Sequence, residues 1–469
     1  MIKKKKNIVI IGAGPGGYHA AIYLSKLGHA VTLIEKNAPG GTCLNVGCIP
    51  SKVLLDHLSL FEHFKESVEK KKLFASGELK TNIEALRQYQ NSVISQLKQG
   101  LEKLFSKNKI NFVYGEAKFL SSNTNKLTVL TKEGNKEITA DEIIIATGSK
   151  PKNIPGFNLD SKLIVSSDDL WNIPKVPEKL LVVGSGPIGI EFARIFHTLG
   201  SKVTISEIKE KICPILDSEI SENLVRSLKR RGIILKPNFA SKFIEKKEKS
   251  VKVEFISTEN SNREQDEFDQ VLIAVGREPN LNSLGLENIN IEMENGIFIK
   301  VNGYLQTSVP NIWAIGDVTN FPQLAHTASF QARVLAQNIS GEKIKFLGDV
   351  IPSCIFGYPE IAFVGKTEEE LREKNVSYKT GKSLFLASGK AKASGLTEGL
   401  VKILMDINTK KILGAHIIGA EASNLIHEIV IAMQNNLTVP NLTHSIHAHP
   451  TYSEVVLEAL EDCVGEAVH

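Results

Sequence analysis

Two cysteines, Cys43 and Cys48, stand five positions apart in the stretch GGTCLNVGCIPSK, which runs from Gly40 to Lys52. Residues five apart in a regular α-helix lie about 8 to 9 Å from each other, beyond the ~4.4 to 6.8 Å that a disulfide accepts. Pro50 fits only the first turn of a helix, so we expect regular helix to begin near Ile49. The residues from Cys43 to Cys48 should then form an irregular turn that can close an easily reduced disulfide.

The surroundings of Cys48 favour a reactive thiolate. Cys48 would lie at a helix N-terminus, with Lys52 one turn further along the same face, and both features stabilise a thiolate. Two buried structural cysteines, or half of a zinc site, are the alternatives. A zinc site usually needs a second cysteine pair with similar spacing, and the sequence has none, so we expect no metal. The pattern therefore indicates a redox-active disulfide.

A histidine and a carboxylate near the C-terminus could move the protons of such chemistry. In the stretch HAHPTYSE, Pro450 suits the first turn of a helix, so His449 would precede the helix and Glu454 could reach back to its imidazole. A carboxylate on one ring nitrogen fixes the tautomer and leaves the other nitrogen to move a proton. A hydrogen-bonded histidine near an interface, or a metal site with His447, are the alternatives.

A dinucleotide-binding pattern opens the chain and leads to the cysteines. The apolar run Asn7 to Ile11 precedes a G-x-G-x-x-G motif and a helical pattern, and the next strand, Ala30 to Ile34, ends at Glu35. Such glycines let a pyrophosphate approach the backbone at a helix N-terminus, and the glutamate can accept hydrogen bonds from a ribose. The three glycines are Gly12, Gly14 and Gly17.

A second copy of this pattern follows roughly 170 residues later. It has a strand at Lys179 to Val183, a helix, a strand at Lys202 to Ser206 and then Glu207. A glutamate there accepts the 2′-hydroxyl of NAD and repels the 2′-phosphate of NADP, although Lys209 and Lys211 lie nearby. Two copies predict two nucleotides, with NAD preferred over NADP. The glycines of the second copy are Gly184, Gly186 and Gly189.

Length and composition describe an ordinary globular protein. A chain of 469 residues is too long for one core, so three or four domain-sized units are expected. The net charge of +4 is small, and no basic stretch is interleaved with aromatic residues, which argues against a nucleic-acid partner. The sequence has no apolar stretch of about 18 residues and no signal-peptide pattern, so we expect a cytoplasmic chain without a membrane partner. Five cysteines suggest a reducing compartment.

The cysteine stretch resembles the active-site signature of the flavin-dependent pyridine nucleotide-disulfide oxidoreductases, and further matches run over nearly the whole chain. Val271 to Pro279 is similar to the family turn AVGRxPN, Ile312 to Asp317 is similar to the strand that ends in Gly-Asp, and HAHPT matches another family signature. The resemblance implies an α/β fold with two Rossmann-like domains, for FAD and NAD, and a C-terminal α+β dimerisation domain. The implied segments are 1–150 for FAD and the disulfide, 151–277 for NAD, 278–347 for a return to the FAD domain, and 348–469 for dimerisation.

The same resemblance implies roles for single residues. Cys43 would be the interchange thiol and Cys48 the charge-transfer thiol against the flavin, while Lys52 and Glu191 are similar to the family pair near the flavin N5. Asp317 would bond to the ribityl side of the flavin. The further FAD contacts implied are Lys36, Gly41, Thr42, Gly115, Ala117, Thr147, Gly148, Ser149, Gly316, Leu324, Ala325 and His326, and Gly276 would belong to the NAD site.

The reaction implied by the resemblance is the oxidation of protein-bound dihydrolipoamide to lipoamide with NAD as acceptor. A homodimer is implied, with lipoyl domains of 2-oxoacid dehydrogenase complexes or the glycine cleavage H protein as partners. A reductase of another disulfide, similar to glutathione reductase, and a non-catalytic flavin-bearing subunit are the alternatives. Two local departures from the family pattern are Ser329-Phe330, where acidic residues are common, and Phe356-Gly357, which replaces tyrosine and threonine.

Overall fold

The computed structural model describes residues 5–74, 80–172 and 175–469. The described residues form two compact units. The first contains residues 5–56, 80–152 and 277–348, and the second contains residues 57–74, 153–172, 175–276 and 349–469. The finer division of the chain into four segments stays a prediction.

The elements up to residue 166 include the first nucleotide-binding pattern and the helix that follows the cysteines. In chain order they are β1 (Asn7–Ile11), α1 (Pro15–Lys26), β2 (Ala30–Glu35), α2 (Gly41–Asn45), α3 (Cys48–Glu69), α4 (Ile83–Lys107), β3 (Asn111–Tyr114), β4 (Glu116–Lys118), β5 (Lys126–Thr131), β6 (Gly134–Thr139), β7 (Glu142–Ile145), β8 (Ser149–Pro151) and β9 (Ile164–Ser166).

The part of the chain after residue 166 begins with the second nucleotide-binding pattern. Its elements, up to residue 339, are β10 (Lys179–Val183), α5 (Pro187–Thr198), β11 (Lys202–Ser206), α6 (Ser218–Arg230), β12 (Ile234–Lys236), β13 (Phe239–Lys246), β14 (Val251–Ser257), β15 (Arg263–Phe268), β16 (Gln270–Ile273), β17 (Arg277–Pro279), β18 (Met293–Glu294), β19 (Phe298–Ile299), β20 (Ile312–Ala314) and α7 (Ala325–Ile339). The C-terminal elements are β21 (Ser353–Ile355), β22 (Ile361–Gly365), α8 (Glu368–Glu373), β23 (Tyr378–Leu384), α9 (Gly389–Ser394), β24 (Leu400–Asp406), β25 (Ile412–Ile418), α10 (Ala422–Gln434), α11 (Val439–Thr443) and α12 (Ser453–Val464).

The first unit is built on a parallel sheet with the strand order β20-β7-β1-β2-β3. Strand β1 pairs with β2 on one side and with β7 on the other, and its residues from Ile8 to Ile11 are buried, as expected for a central parallel strand. The predicted strand at Asn7 to Ile11 is therefore confirmed. The predicted helix after the glycine motif is α1, which begins at Pro15, a residue that suits the first helical turn.

The second unit contains another parallel sheet, with the order β12-β11-β10-β16-β9. It also contains an antiparallel sheet with the order β21-β22-β25-β24-β23, whose buried face packs against α10 and α12. The predicted strands at Lys179 to Val183 and Lys202 to Ser206, and the predicted C-terminal α+β pattern, are confirmed. The two Rossmann-like parallel sheets and the C-terminal α+β elements give the chain an α/β fold.

Across the residues that the structure describes, no helix has the length and apolar character needed to cross a membrane.

Candidate active site

Cys43 and Cys48 form a disulfide with a Cα–Cα distance of 4.6 Å. The expected irregular turn is only partly correct, because Cys43 lies in the short helix α2 and Cys48 is already the first residue of α3. The chain departs from helical geometry at Val46 and Gly47, which brings the two cysteines within disulfide range. Pro50 lies in the first turn of α3, where its missing N–H costs little.

Backbone contacts hold the disulfide segment against the first glycine motif. The N–H of Gly40 donates a hydrogen bond to the carbonyl of Ala13 at 2.9 Å. Gly41 has a φ of +58°, and an ideal Cβ there would lie 2.6 Å from the Cα of Gly14. A side chain at position 41 would therefore separate the two segments. The close approach leaves a surface of bare backbone at the N-terminus of α1, which fits the pyrophosphate of a dinucleotide.

A pocket beside the first parallel sheet contains several of the expected FAD contacts. The carboxylate of Glu35 accepts hydrogen bonds from the N–H groups of Ala13 and Asn37, both at 2.8 Å, and keeps lone pairs for further donors. The Thr147 hydroxyl is buried and, within the described part of the chain, has no hydrogen-bond partner. These groups fit the ribose end of FAD. The pocket is lined by Ile11, Gly12, Ile34, Glu35, Lys36, Gly115, Glu116, Ala117, Thr147, Asn280, Ser283 and Leu284.

The structure adds residues to this pocket that the sequence did not single out. Glu116, Asn280, Ser283 and Leu284 line it together with residues more than a hundred positions away in the chain. The N–H of Asn280 donates a hydrogen bond to the carbonyl of Gly148 at 2.9 Å, which ties the segment after β17 to the expected flavin-binding turn. The family turn AVGRxPN, which ends at this asparagine, was the available signal.

Asp317 lies in a partly buried hydrogen-bonded cluster. Ser149 Oγ donates to Asp317 Oδ2 at 2.6 Å, and Arg277 donates to the hydroxyl and carbonyl oxygens of Ser149 at 2.8 and 2.9 Å. Burial raises the pKa of Asp317, while the Ser149 hydrogen bond and the Arg277 charge oppose the shift. Arg277 thus orients the serine that holds Asp317. Gly316 immediately precedes Asp317, and helix α7 begins at Ala325, so that Leu324 precedes the helix and His326 lies in its first turn.

Glu207 is fixed at the second glycine motif, whose three glycines lead into α5. Its Oε2 accepts hydrogen bonds from the N–H and hydroxyl of Ser185, at 2.9 and 2.7 Å, and its Oε1 accepts one from the N–H of Lys209 at 3.1 Å. The ammonium of Lys211 donates to the carbonyl of Leu216 at 2.6 Å. A buried carboxylate held in this way suits a ribose hydroxyl better than a phosphate. Gly276, with a φ of +110°, directly precedes β17.

Glu191 is a buried residue of α5, and the N–H of Phe356 donates a hydrogen bond to its Oε1 at 3.2 Å. Lys52 lies one turn after Cys48 on α3, as the sequence predicted. Glu191 belongs to the second unit and Lys52 to the first. Their pairing near the flavin therefore stays a prediction.

His449 and Glu454 form the expected pair, with Nδ1 of the imidazole 2.8 Å from Oε1 of the carboxylate. Glu454 Oε2 also accepts the N–H of Thr451 at 2.8 Å, and this bond, followed by the one to His449, lowers the pKa of the glutamate. The expectation for Pro450 was wrong. Helix α12 begins only at Ser453, and Thr451, in the loop that precedes it, donates its N–H to the Glu454 side chain.

The imidazole of His447 is engaged elsewhere. Its Nε2 lies 2.7 Å from Oε1 of Glu428, and its Nδ1 lies 3.0 Å from the carbonyl of Ser445. Burial opposes the charged form of His447, but these hydrogen bonds raise its pKa overall. Both ring nitrogens of His447 are therefore engaged, one of them by Glu428 of α10, and the ring does not form a site with His449.

Comparison with known proteins identifies the family. Residues 6–332 match the family model described as pyridine nucleotide-disulphide oxidoreductase, and residues 351–460 match the dimerisation domain of the same family. The chain belongs to the pyridine nucleotide-disulphide oxidoreductases. This oxidoreductase is thus a flavoprotein, its cofactors are FAD and NAD(H), and it carries a domain for homodimer formation.

Individual relatives cover this oxidoreductase over almost its full length. It is 39% identical to dihydrolipoyl dehydrogenase 1, mitochondrial, of Arabidopsis thaliana, over 99% of this chain and 92% of the relative. It is also 39% identical to a leghemoglobin reductase of Vigna unguiculata, over 97% of this chain and 87% of the relative. A Cu(II) complex of the HOCl-induced flavoprotein disulfide reductase RclA from Escherichia coli has a TM-score of 0.86 at 30% identity, over 98% of this chain and 99% of that chain.

Proposed function

We propose that this oxidoreductase is a dihydrolipoyl dehydrogenase, which oxidises protein-bound dihydrolipoamide to lipoamide with NAD+ as acceptor. The observation that carries the proposal is the Cys43–Cys48 disulfide in a chain that also has the His449–Glu454 pair and two nucleotide-binding patterns. Dihydrolipoyl dehydrogenases from several species are 37 to 40% identical over nearly the whole chain, which supports the same reaction.

In the proposed cycle, one dihydrolipoyl thiol gives its proton to His449 Nε2, and the resulting thiolate attacks the sulfur of Cys43. The Cys43–Cys48 bond breaks, and Cys48 leaves as a thiolate. The second dihydrolipoyl thiol then attacks the lipoyl sulfur of the mixed disulfide. The S–S bond to Cys43 breaks, lipoyl disulfide is released, and the Cys43 sulfur takes up the proton of the second thiol. FAD, when bound, would supply the two-electron redox chemistry that links the reduced dithiol to NAD+.

The geometry of His449 suits this task. Its side chain is 77% exposed in the single chain, so the chain itself does not cover the imidazole. Glu454 occupies Nδ1, which leaves Nε2 as the nitrogen that accepts the thiol proton and stabilises the imidazolium that forms. Lys52, one turn from Cys48, would favour the thiolate that the exchange releases.

The proposal includes the partners and the compartment. The lipoyl group would be carried by lipoyl domains of 2-oxoacid dehydrogenase complexes or by the glycine cleavage H protein, which dock on the homodimer. A reducing compartment such as the cytoplasm is part of the proposal. Cys213, Cys354 and Cys463 form no disulfide in the described part of the chain, as is usual in such compartments.

Paired steady-state assays on FAD-loaded protein test the function. We expect fast NAD+ reduction by dihydrolipoamide and negligible NADPH oxidation by glutathione disulfide. Cys48→Ser should abolish the first activity because no internal disulfide can form. Cys463→Ala is the matched control, since this buried thiol packs in the C-terminal core. Turnover only with glutathione disulfide would contradict the proposal, and turnover in neither assay would favour a non-catalytic flavin-bearing subunit.

Glu207 should control the choice of nucleotide. Glu207→Ala is expected to raise the KM for NAD+ by about 10- to 100-fold, because a hydrogen bond to a charged group contributes about 1.5 to 3 kcal/mol. The KM for NADP+ should fall in the same variant, because a negative charge is removed. Steady-state kinetics with both nucleotides measure the two changes. Lys209→Ala is the control, and equal KM changes for NAD+ in both variants would contradict a specific role for the carboxylate.

A further inference from the structure

The hydroxyl of Ser185 joins the second glycine motif to two other points of the same unit. Ser185 stands between Gly184 and Gly186 and is fully buried. Its Oγ donates to Oε2 of Glu207 at 2.7 Å, and the N–H of Cys213 donates to the same Oγ at 2.8 Å. One hydroxyl therefore connects the motif, the carboxylate after β11 and the segment that follows it.

The direction of the serine proton is set by its two partners. A hydroxyl has one proton to donate, and an ionised carboxylate can only accept. The N–H of Cys213 uses the Ser185 oxygen as an acceptor, and the serine proton points to Glu207. In a buried site each bond of such a chain polarises the next, which strengthens the bond to the carboxylate.

The bonds to Glu207 also determine which of its oxygens can take a further donor. Oε2 accepts the N–H and the hydroxyl of Ser185, at 2.9 and 2.7 Å, and Oε1 accepts the N–H of Lys209 at 3.1 Å. An ionised carboxylate has about four acceptor sites, shared equally between its oxygens. Ser185 therefore occupies Oε2, and Oε1 keeps a site for a donor such as a ribose hydroxyl.

Loss of the hydroxyl would disturb both of its partners. Cys213 is buried and has a φ of +51°, a conformation that a non-glycine residue retains only where its surroundings hold it. Its N–H would lose the Ser185 oxygen, and a buried donor without an acceptor costs free energy. Glu207 would lose the shorter of its two bonds at Oε2, so that its carboxylate could rotate.

We propose that Ser185 is a positioning residue, whose hydroxyl holds the Glu207 carboxylate with Oε1 directed to the adenosine ribose of NAD. The inference rests on the proposed function, which assigns that ribose to Glu207. It adds a residue between the glycines to the determinants of nucleotide affinity. Ser185 acts on the nucleotide through Glu207.

The experiment titrates FAD-loaded protein with ADP-ribose in a calorimeter. ADP-ribose carries the adenosine ribose of NAD but cannot accept a hydride, so that binding is measured apart from turnover. We expect its Kd to rise by about 5- to 10-fold in Ser185→Ala and by about 10- to 100-fold in Glu207→Ala, because a displaced carboxylate costs less than a missing one. In steady-state assays the KM for NAD+ should rise in Ser185→Ala, while kcat stays within about twofold.

Ser185→Cys keeps the test valid if Ser185→Ala does not fold. The new side chain has a similar size, but its thiol is only a weak donor, so we expect weaker ADP-ribose binding here as well. Native affinity for ADP-ribose in either variant would overturn the inference.

Ser206→Ala is the matched control, because Ser206 is another buried serine and directly precedes Glu207. Its hydroxyl donates to the carbonyl of Phe239 at 3.0 Å and accepts from Ser241 Oγ at 2.9 Å. We expect the Kd for ADP-ribose to stay within about twofold in this variant. A loss equal to that in Ser185→Ala would overturn the inference, because general packing at the end of β11 would then explain the effect.

The double variant Ser185→Ala/Glu207→Ala tests whether the serine acts through the glutamate. If it does, the double variant should bind ADP-ribose within about twofold of Glu207→Ala alone, because the group that Ser185 positions is already absent. Losses that multiply would show two independent effects and would overturn the positioning role.

Two further outcomes separate this inference from the proposed function. If Glu207→Ala weakens ADP-ribose binding while Ser185→Ala leaves it native, the positioning role is wrong and the role of Glu207 stands. If Glu207→Ala binds ADP-ribose with native affinity, the role of Glu207 is wrong and the inference falls with it. The dihydrolipoamide assay of the unmodified protein decides the reaction independently of both outcomes.

Discussion

His449→Gln is expected to lower kcat for dihydrolipoamide oxidation by about 10²- to 10⁴-fold, because a positioned acid-base group contributes rate enhancement of that size. Glutamine retains the size and hydrogen-bonding character of the side chain but cannot take the thiol proton. Steady-state NAD+ reduction measures the loss. NADH oxidation with ferricyanide as the electron acceptor should persist, because that reaction needs no proton transfer from a substrate thiol, and it shows that the variant is folded and loaded with FAD.

His447→Gln is the matched control for this prediction, since it changes the same residue type two positions away. Its imidazole is held by Glu428 at 2.7 Å, and we expect kcat to stay within about threefold of the unmodified protein. Glu454→Gln should cause a smaller loss than His449→Gln, because it weakens the orientation of the imidazole and leaves the base in place. Equal losses in the two histidine variants would contradict the assignment of His449 as the base.

The nucleotide-binding patterns could be predicted from the sequence because each depends on local features. A buried apolar strand, spaced glycines and a terminal glutamate follow one another within about 30 residues in such a unit. The strands Asn7–Ile11 and Lys179–Val183 accordingly have the predicted bounds. The disulfide was predictable for the same reason, since Cys43 and Cys48 belong to one short motif.

Contacts between distant segments could not be predicted in this way. Arg277 reaches Ser149 across 128 positions, and Arg194 reaches Ser59 across 135, and no periodicity links such residues.

Strand β24 buries a charged side chain, Lys402, although a lysine in a strand is usually exposed to solvent. Both faces of the strand are buried, so alternation of polar and apolar residues fails as a guide, and Lys402 is only 1% exposed.

Lys402→Met is expected to destabilise the protein strongly. The ammonium lies 2.8 Å from Asp217, 2.6 Å from Glu368 and 3.3 Å from Glu219, and Asp217 is fully buried. Removing the cation leaves the buried Asp217 carboxylate without its ammonium partner, which typically costs about 3 to 5 kcal/mol. For a domain of this size we expect the apparent Tm to fall by about 10 °C in thermal unfolding of the FAD-loaded protein.

Lys382→Met is the matched control, because it removes another ammonium from the same Glu219 at 2.8 Å, but at a side chain that is 44% exposed. A surface pair contributes only about 0 to 1 kcal/mol, so the Tm should change little.

The pH dependence of the Tm difference between Lys402→Met and the unmodified protein provides a second check. Burial opposes the charged form of Lys402, but the hydrogen bonds of its ammonium to Asp217 and Glu368 raise the pKa of Lys402. Burial likewise opposes the charged form of Glu368, but the hydrogen bond from Lys402 lowers the pKa of Glu368. Stability from a lowered carboxyl pKa is present above the ordinary value of about 4.3 and is lost as the pH falls through the folded value. Stability from the raised lysine pKa is retained throughout this acidic range. The Tm difference between Lys402→Met and the unmodified protein should therefore be largest near neutral pH and become smaller below about pH 4, and a difference that grows on acidification would contradict the role of this buried cluster.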